Sequence, residues 1–340
     1  MKKILIALGI VVAIGALGAV LAFSHVSRVL DTPLTVAEDS AAFEIPPGSA
    51  FTEVSSRLEA EGMLSDARIL TLYARWTGDA NSIQAGEYLI EQGTTPRELL
   101  TIFTSGSVRL YSFTIVEGWN HRELLTALQE HPEVVAEMTA DDWPALLADL
   151  GAEETWPEGL FLPETYHFPG GTTDREVLGE AYELMQTALA ELWEERSEMT
   201  LVETPYEALI LASIVEKETA RADERQRIAG VFTRRLDRRM RLQTDPTVIY
   251  GIGPDFNGNL TRRDLRTDTP YNTYTRHGLP PTPIAMPGRA AIEAALNPAD
   301  GEELYFVATG LGDGSHKFSV TNEEHEAAVQ EYLRRLRENR

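Results

Sequence analysis

The chain has 340 residues, of which 43% are hydrophobic and 24% are charged, so it is long enough for one large or two ordinary folded domains. Its formal net charge is −23, because 53 acidic residues outnumber 30 basic residues. Such a surface repels the phosphate backbone, which argues against a nucleic-acid partner, and it disfavours broad electrostatic attachment to anionic lipid. The absence of cysteine excludes disulfides and thiol chemistry.

The N-terminus carries an apolar run. After two lysines, residues 4–23 contain no charge, and a helix that spans a bilayer needs about 20 such residues. The lysines favour a cytoplasmic N-terminus with the rest of the chain outside. Small residues near the end of the run leave a cleaved signal peptide as the alternative. We predict a transmembrane anchor over 1–23, a polar linker over 24–40 and an extracytoplasmic (periplasmic) remainder, as in a single-pass inner (plasma) membrane protein.

The following segment predicts a small unit of one strand, two helices and a second strand. Residues 43–45 alternate like a strand, a Pro-Pro-Gly turn follows, and residues 86–90 predict the returning strand. Thr95 and Glu98 have capping-box spacing, which predicts the start of a further helix. The order resembles the LysM modules that bind N-acetylglucosamine chains. We predict a LysM-like βααβ subdomain over 41–105, with a spacer unit that binds no sugar as the alternative.

The remainder, 106–340, predicts a larger mixed α+β catalytic domain, so the fold class of the whole chain is α+β. Its regular elements are predicted in this order: a strand over 108–116, a helix over 121–130, a long amphipathic helix over 174–196, two helices over 208–219 and 222–238, a hairpin of 305–309 and 316–320, and a final helix over 323–337. The helix over 222–238 ends in a basic run, which we interpret as a solvated helix end. Residues 241–289 show little periodicity but many polar and aromatic side chains, which is typical of a functional loop.

The helix predicted over 208–219 has a carboxyl group on its apolar face. Pro205 stands just before it, near the position where helices tolerate proline. Glu218 follows Leu211 by seven residues and continues the apolar stripe, whereas Glu216 projects to the other side. Burial makes a carboxylate costly, so the pKa of Glu218 should be raised, as a general acid requires near neutral pH. A structural Glu218, with Glu216 solvated, is the alternative.

The sequence lacks the motifs of several other classes of catalytic or cofactor-binding site. The sequence has no His-Glu-x-x-His pair, no Walker loop, no dinucleotide fingerprint and no Gly-x-Ser-x-Gly elbow, so we predict neither a metal nor a cofactor. The segments 243–250 and 271–274 instead supply amides, hydroxyls and flat rings. Such groups suit an uncharged sugar, which offers hydroxyls for hydrogen bonds and apolar ring faces for stacking. Simple loop packing is the alternative for 271–274.

Several motifs together resemble one family. They are Leu-Ala-Ser-Ile-Val-Glu-Lys-Glu-Thr at 211–219, Arg-Leu-Gln-Thr-Asp-Pro-Thr-Val-Ile-Tyr-Gly at 241–251, Tyr-Asn-Thr-Tyr at 271–274, Ile-Ala-Met-Pro-Gly at 284–288 and His-Lys-Phe-Ser at 316–319. In order and spacing the chain resembles the MltG-type (YceG-like) endolytic murein transglycosylases. It departs from the family pattern at Thr282, Met286 and Glu326, which leaves the shape of one loop open.

The resemblance implies cleavage of the MurNAc–GlcNAc bond within the glycan strands of peptidoglycan, which leaves 1,6-anhydroMurNAc ends. The family's essential glutamate matches Glu218, which would act first as acid and then as base. Asp245 is a positioning residue on this interpretation; if it faced Glu218 across the cleft, a two-carboxylate hydrolase would be plausible. Glu216 would support the acid. The remaining predicted substrate-binding residues beside Asp245 are Gln243, Thr244, Tyr271, Asn272 and Tyr274.

Three classes of function stay open from the sequence. They are a lytic transglycosylase, a hydrolase that acts on the same glycan, and a noncatalytic envelope protein that binds glycan or acts as a scaffold. The resemblance favours the first, and it implies a position near cell-wall synthases, where the enzyme would release or end nascent strands.

Overall fold

The computed structural model describes residues 2–338, with the side chains of residue 6 and of 8–338, so the first residue of the predicted anchor and the last two of the predicted catalytic domain lie outside it. Its helices are α1 (Lys2–Asp31), α2 (Phe51–Ala60), α3 (Ala67–Thr77), α4 (Pro96–Ser105), α5 (His121–Glu130), α6 (Trp143–Asp149), α7 (Asp174–Glu194), α8 (Pro205–Glu218), α9 (Arg225–Asp237), α10 (Asp245–Ile252), α11 (Arg289–Leu296) and α12 (Asn322–Glu338). Its strands are β1 (Ser40–Ile45), β2 (Gly86–Glu91), β3 (Leu110–Thr114), β4 (Thr165–Pro169), β5 (Tyr305–Ala308) and β6 (His316–Ser319). They pair as β1–β2, β3–β4 and β5–β6. The mixed α+β class is as predicted.

The chain divides into two compact units. The first runs to Tyr111 and includes Phe168–Gly170; the second comprises Ser112–His167 and the chain from Gly171 onward. The predicted limits at 41–105 and 106–340 stay a prediction about domains.

The first unit contains the predicted βααβ order. β1 and β2 pair antiparallel with Phe43 opposite Tyr88, and α2 and α3 connect them. The rings of Phe43 and Tyr88 pack on Phe103 of α4, with centroids 6.0 and 4.8 Å away. α4 begins with the predicted capping box, in which the Thr95 hydroxyl accepts from the Glu98 N–H and the Glu98 carboxylate accepts from the Thr95 N–H. The aromatic core therefore holds the sheet against the helices.

The N-terminal helix extends beyond the predicted anchor. Over Leu8–Asp31, α1 is long and apolar enough to cross a membrane, and its residues 8–25 are exposed. Its far end contacts α3 and α4, and Leu30, Leu34 and Val36 are buried in the core of the first unit. The structure therefore differs from the polar linker predicted over 24–40, because spaced apolar side chains in this segment complete the core.

In the second unit, α8 is the central helix. It contacts α7, α9, α10 and α11, and every residue from Ala208 to Val215 is buried. Neighbours cover α8 along this stretch, so its buried surface extends beyond the apolar stripe that the sequence predicted. The helix begins earlier than predicted, at Pro205, with Thr204 as its N-cap. The predicted hairpin is present, since β5 and β6 pair antiparallel.

Two segments near α8 also differ from the predictions. The aperiodic stretch 241–289 contains α10, which begins at Asp245 with a proline in its first turn. An acidic first residue favours the helix dipole, and proline is pre-organised for the first turn, so this start had a sequence signal. The basic end of α9 is not simply solvated: Arg235 is only 8% exposed.

Candidate active site

A cleft of about 560 Å³ lies beside the C-terminal end of α8. Its polar lining comes from α8, α9, the segment before α10, α10 itself, the loop after α10 and the β5–β6 hairpin, and includes Glu218, Arg235, Gln243, Asp245, Tyr274 and His316. Four of the seven predicted site residues are therefore in its lining. The other three, Thr244, Tyr271 and Asn272, lie outside it.

Glu218 is the last residue of α8, and a hydrogen bond from a neighbouring segment fixes its carboxyl group. The hydroxyl of Thr244, the N-cap of α10, donates a hydrogen bond to Oε1 of Glu218. Burial raises the pKa of Glu218, and this effect outweighs the hydrogen bond from Thr244, which lowers the pKa. The charge of Asp245 also raises the pKa. The predicted direction is confirmed, so Glu218 holds a proton at a higher pH than an ordinary glutamate.

Asp245 and Tyr274 form a pair in the same cleft. The hydroxyl of Tyr274 donates to Oδ1 of Asp245 over 2.6 Å. Burial raises the pKa of Tyr274, and the bond to Asp245 raises it further, so the phenol stays neutral and remains a donor. The carboxyl group of Asp245 therefore has a fixed partner in the cleft that Glu218 also lines.

The backbone before α10 has an unusual conformation. Gln243 has φ of +51°, in the left-handed region that side chains other than glycine rarely adopt. Its N–H donates to the carbonyl oxygen of Thr273 over 3.2 Å, and the N–H of Thr244 donates to the Thr273 hydroxyl over 3.1 Å. Strained conformations of this kind persist where the surroundings over-determine them, and they cluster at functional sites. The loop around Thr273 thus fixes the segment that presents Gln243 and Asp245 to the cleft.

Arg235 is a site residue that the sequence prediction missed. Its guanidinium donates to the carbonyl oxygens of Leu304 (2.6 Å) and Leu242 (2.7 Å), which joins α9 to the chain just before Gln243. Burial lowers the pKa of Arg235. The sequence pattern that identified Glu218 could also have identified Arg235. Arg235 lies seven residues after the buried Ile228 and continues an apolar stripe of its helix.

His316 is a second missed residue, although its motif was recognised. It begins β6 and lines the cleft with Glu218. Its ring Nδ1 lies 2.7 Å from one carboxylate oxygen of Glu224, and its backbone N–H donates to the other over 3.0 Å. This double contact fixes the ring. When protonated, His316 lowers the pKa of Glu218 and so opposes the effect of burial.

Asn272 and Tyr271 build the loop instead of lining the cleft. The side-chain amide of Asn272, which is fully buried, donates to the carbonyl oxygen of Thr267 over 2.7 Å, and its Oδ1 accepts from the N–H of Tyr274 over 2.9 Å. The hydroxyl of Tyr271 pairs with that of Thr282 over 2.9 Å. The predicted sugar contacts at these two positions stay a prediction, and in the structure their polar groups make hydrogen bonds within the protein.

The model of the YceG-like family matches residues 43–331. The chain belongs to the YceG-like family. It is 28% identical to the endolytic murein transglycosylase of Bacillus subtilis over 329 residues, which cover 92% of this chain and 90% of that protein. It is also 28% identical to the endolytic murein transglycosylase of Streptococcus pneumoniae D39, covering 90% of this chain but only 61% of that longer protein.

A crystal structure of a YceG-like protein from Listeria monocytogenes is also similar. It matches with a TM-score of 0.51 and 28% identity, covering 86% of this chain and 99% of that one. The resemblance predicted from the motifs is confirmed.

In this YceG-like chain, Glu216 lies on the opposite side of α8 from the cleft. Its side chain is 7% exposed, accepts a hydrogen bond from the Gly288 N–H over 3.1 Å, and lies 3.8 Å from Arg225. Burial raises the pKa of Glu216, and the Gly288 bond opposes this. Glu216 therefore anchors the segment around Gly288 to α8. Within residues 2–338, no group of three or more His, Cys, Asp or Glu side chains is arranged to hold a metal ion.

Proposed function

We propose that this protein is a lytic transglycosylase that cleaves the MurNAc–GlcNAc bond within peptidoglycan glycan strands and leaves 1,6-anhydroMurNAc ends. The observation that carries the proposal is the Glu218 carboxyl group, which burial keeps protonated to a higher pH and which lines an open cleft. The curated relatives named endolytic murein transglycosylase support the same reaction and substrate.

The first step uses Glu218 as a general acid. Its proton passes to the glycosidic oxygen as the bond from the MurNAc anomeric carbon to that oxygen breaks, and the GlcNAc hydroxyl leaves. The raised pKa of Glu218 favours the protonated form that this step requires. Positive charge develops on the sugar ring, and the negative charge of Asp245 in the same cleft stabilises it.

The second step uses the same carboxyl group as a base. The carboxylate left by the first step takes the proton of the MurNAc 6-hydroxyl while that oxygen attacks the anomeric carbon. A bond from O6 to C1 forms, the 1,6-anhydro ring closes, and Glu218 regains its proton. No water is consumed, and one carboxyl group performs both transfers.

The neighbouring groups hold this acid and the sugar in place. Thr244 fixes the direction of the Glu218 carboxyl through its hydroxyl. Tyr274 fixes Asp245, and the strained backbone of Gln243 presents its amide to the sugar hydroxyls. Arg235 holds the chain before Gln243 by its two carbonyl contacts. These contacts orient the carboxyl group of Glu218 for the reaction before the substrate binds.

A hydrolase is the second candidate, and a specific observation favours it. Asp245 lines the same cleft as Glu218, so the two carboxyl groups needed for hydrolysis are present. We prefer the lytic reaction because the oxygen of Asp245 that faces Tyr274 is already engaged in a hydrogen bond. A protein that binds glycan without cleaving it is the third candidate.

Mass spectrometry of the products separates the three candidates. We expect the full-length chain in detergent to release anhydro-ended fragments from purified peptidoglycan, and Glu218→Gln to release none. Reducing ends that also require Asp245 would establish the hydrolase. Glycan binding with no released product from the wild-type chain would overturn both enzymatic proposals.

We also propose the finer features that the family implies. The chain is anchored by α1 with a cytoplasmic N-terminus, its βααβ unit binds glycan in the manner of a LysM module, and it works beside cell-wall synthases to end nascent strands. Glycan pull-down with residues 40–105 deleted tests the second feature. If the deletion variant binds glycan as well as the full chain does, the βααβ unit is not the glycan-binding part. The accessibility of the chain to protease in spheroplasts tests the cytoplasmic placement of the N-terminus.

A further inference from the structure

A second cleft, of about 550 Å³, adjoins the first in the second unit. The two share a dividing wall, because Lys217 in the second cleft directly precedes Glu218, and Pro246 directly follows Asp245. The hydrogen bond from Thr244 to Glu218 joins the two parts of this wall. A substrate seated at Glu218 therefore has the second cleft within reach of its substituents.

Two cations line this second cleft. The side chains of Arg122 and Lys217 are exposed, and no ion pair within 4 Å joins either of them to a carboxylate of residues 2–338. Nζ of Lys217 donates to the Gly118 carbonyl oxygen over 3.0 Å, which holds the ammonium group at the cleft. Glu123 also lines the cleft, but its carboxylate accepts from the Asn120 N–H as part of a helix cap. In a chain of net charge −23, this is an unusually cationic place.

Another part of the lining of this cleft is apolar and rigidly supported. It includes Pro246, Tyr250 and Phe256. The hydroxyl of Tyr250 accepts from the indole N–H of Trp156 over 3.0 Å, and its ring packs on Tyr271 with centroids 4.9 Å apart. A cleft lined by both fixed flat rings and exposed cations suits a short peptide that has small apolar side chains and carboxylate groups.

We propose that the second cleft binds the peptide stem of the muramoyl residue, with stem carboxylates on Arg122 and Lys217. This inference rests on the proposed function, because the glycan strand supplies the stem. The stem branches from the sugar that reacts at Glu218, and the shared wall places the cationic cleft next to that sugar. The site thereby selects glycan that still carries peptides over glycan from which amidases have removed them.

Equilibrium binding tests the inference without any cleavage. The full-length Glu218→Gln chain in detergent is titrated with two soluble ligands, a GlcNAc–MurNAc oligosaccharide with its peptide stems and the same oligosaccharide stripped by an amidase. We expect about tenfold tighter binding of the stem-bearing ligand, since two partly screened ion pairs contribute modestly, and a preference that shrinks with added salt. Equal affinities, or no measurable binding of either ligand, would overturn the inference.

Substitutions locate the preference. Added to Glu218→Gln, Arg122→Gln should reduce the tenfold preference about threefold, and Lys217→Gln should reduce it by a similar factor. Arg334, which lines neither cleft, gives the matched control: Arg334→Gln should keep the full preference. A preference that survives both Arg122→Gln and Lys217→Gln, in chains with unchanged melting curves, would rule this cleft out.

Activity of the wild-type chain keeps the two proposals separate. Anhydro products from both substrates without any preference in binding would leave the lytic reaction standing and overturn the role of the second cleft. Stem-selective binding without any product would support the second cleft and overturn the lytic reaction.

Discussion

The two sides of the last turn of α8 offer a direct comparison. Glu216 and Glu218 are two residues apart, and burial raises the pKa of both carboxyl groups. Glu216 is enclosed by the Gly288 N–H and the Arg225 guanidinium. Glu218 instead lines an open cleft, and its carboxyl group accepts a hydrogen bond from the hydroxyl of Thr244.

The difference shows that a raised pKa does not identify a catalytic acid by itself. Structural networks perturb carboxyl groups as strongly as catalytic sites do. What distinguishes Glu218 is access: a sugar that enters the cleft can meet its carboxyl group, whereas the partners of Glu216 are protein groups. The following predictions test this distinction, from the largest effect to the smallest.

The largest effect is expected for Glu218→Gln. Loss of the only group that transfers the proton should lower the rate of anhydro product release by about 10³-fold or more. The matched variant Glu216→Gln keeps an amide oxygen for the Gly288 N–H and should stay within about tenfold of the wild-type rate. Chromatography of the released fragments measures both, with thermal melts as the check on folding. Equal losses in the two variants would remove the distinction.

A smaller loss is expected for Arg235→Lys. A lysine ammonium is a point charge. It cannot replace the planar guanidinium that donates to the carbonyl oxygens of Leu304 and Leu242 together. The segment that carries Gln243 should loosen, and the rate should fall about tenfold. Arg238→Lys, at an exposed position of the same helix end, is the control. An unchanged rate for Arg235→Lys would show that this anchoring contact is dispensable.

Thr244→Val should move the pH profile while changing the maximal rate by less than about tenfold. The Thr244 hydroxyl donates to Glu218 and lowers its pKa, so its removal raises that pKa further. The reaction begins from the protonated acid, and the alkaline limb of kcat/KM should therefore shift to higher pH. Thr275→Val, outside the cleft, should leave the limb in place. A shift to lower pH would contradict the proposed hydrogen bond.

The smallest effect concerns stability at Glu216. Its pKa in the folded chain is raised above that of the unfolded chain, so its contribution to stability is fully present below the unfolded pKa. That contribution is lost as the pH rises through the raised pKa. The Tm of the wild type should therefore fall more steeply over this window than that of Glu216→Gln. The control Glu195→Gln, at an exposed position, should show the same dependence of Tm on pH as the wild type. If the Tm of Glu216→Gln falls with pH in parallel with that of the wild type, the pKa of Glu216 is not raised.

The sequence by itself predicted most of the regular elements and singled out Glu218 as the candidate acid. Periodicity and capping residues are local signals, so they predicted the βααβ order, the capping box of Thr95, the helix that carries Glu218 and the final hairpin. The position of Glu218 seven residues after Leu211 placed it among buried neighbours, and its raised pKa followed.

Only the tertiary structure decided what surrounds those elements. Thr244 contacts Glu218 across 26 residues of chain, and Arg235 reaches Leu304 across 69, distances over which no local pattern carries information. The burial of Glu216 arose in the same way, because a loop more than 70 residues later covers the side of α8 away from the predicted apolar stripe. The sequence assigns a side chain to one face of its helix, but the partner that covers this face comes from distant parts of the chain.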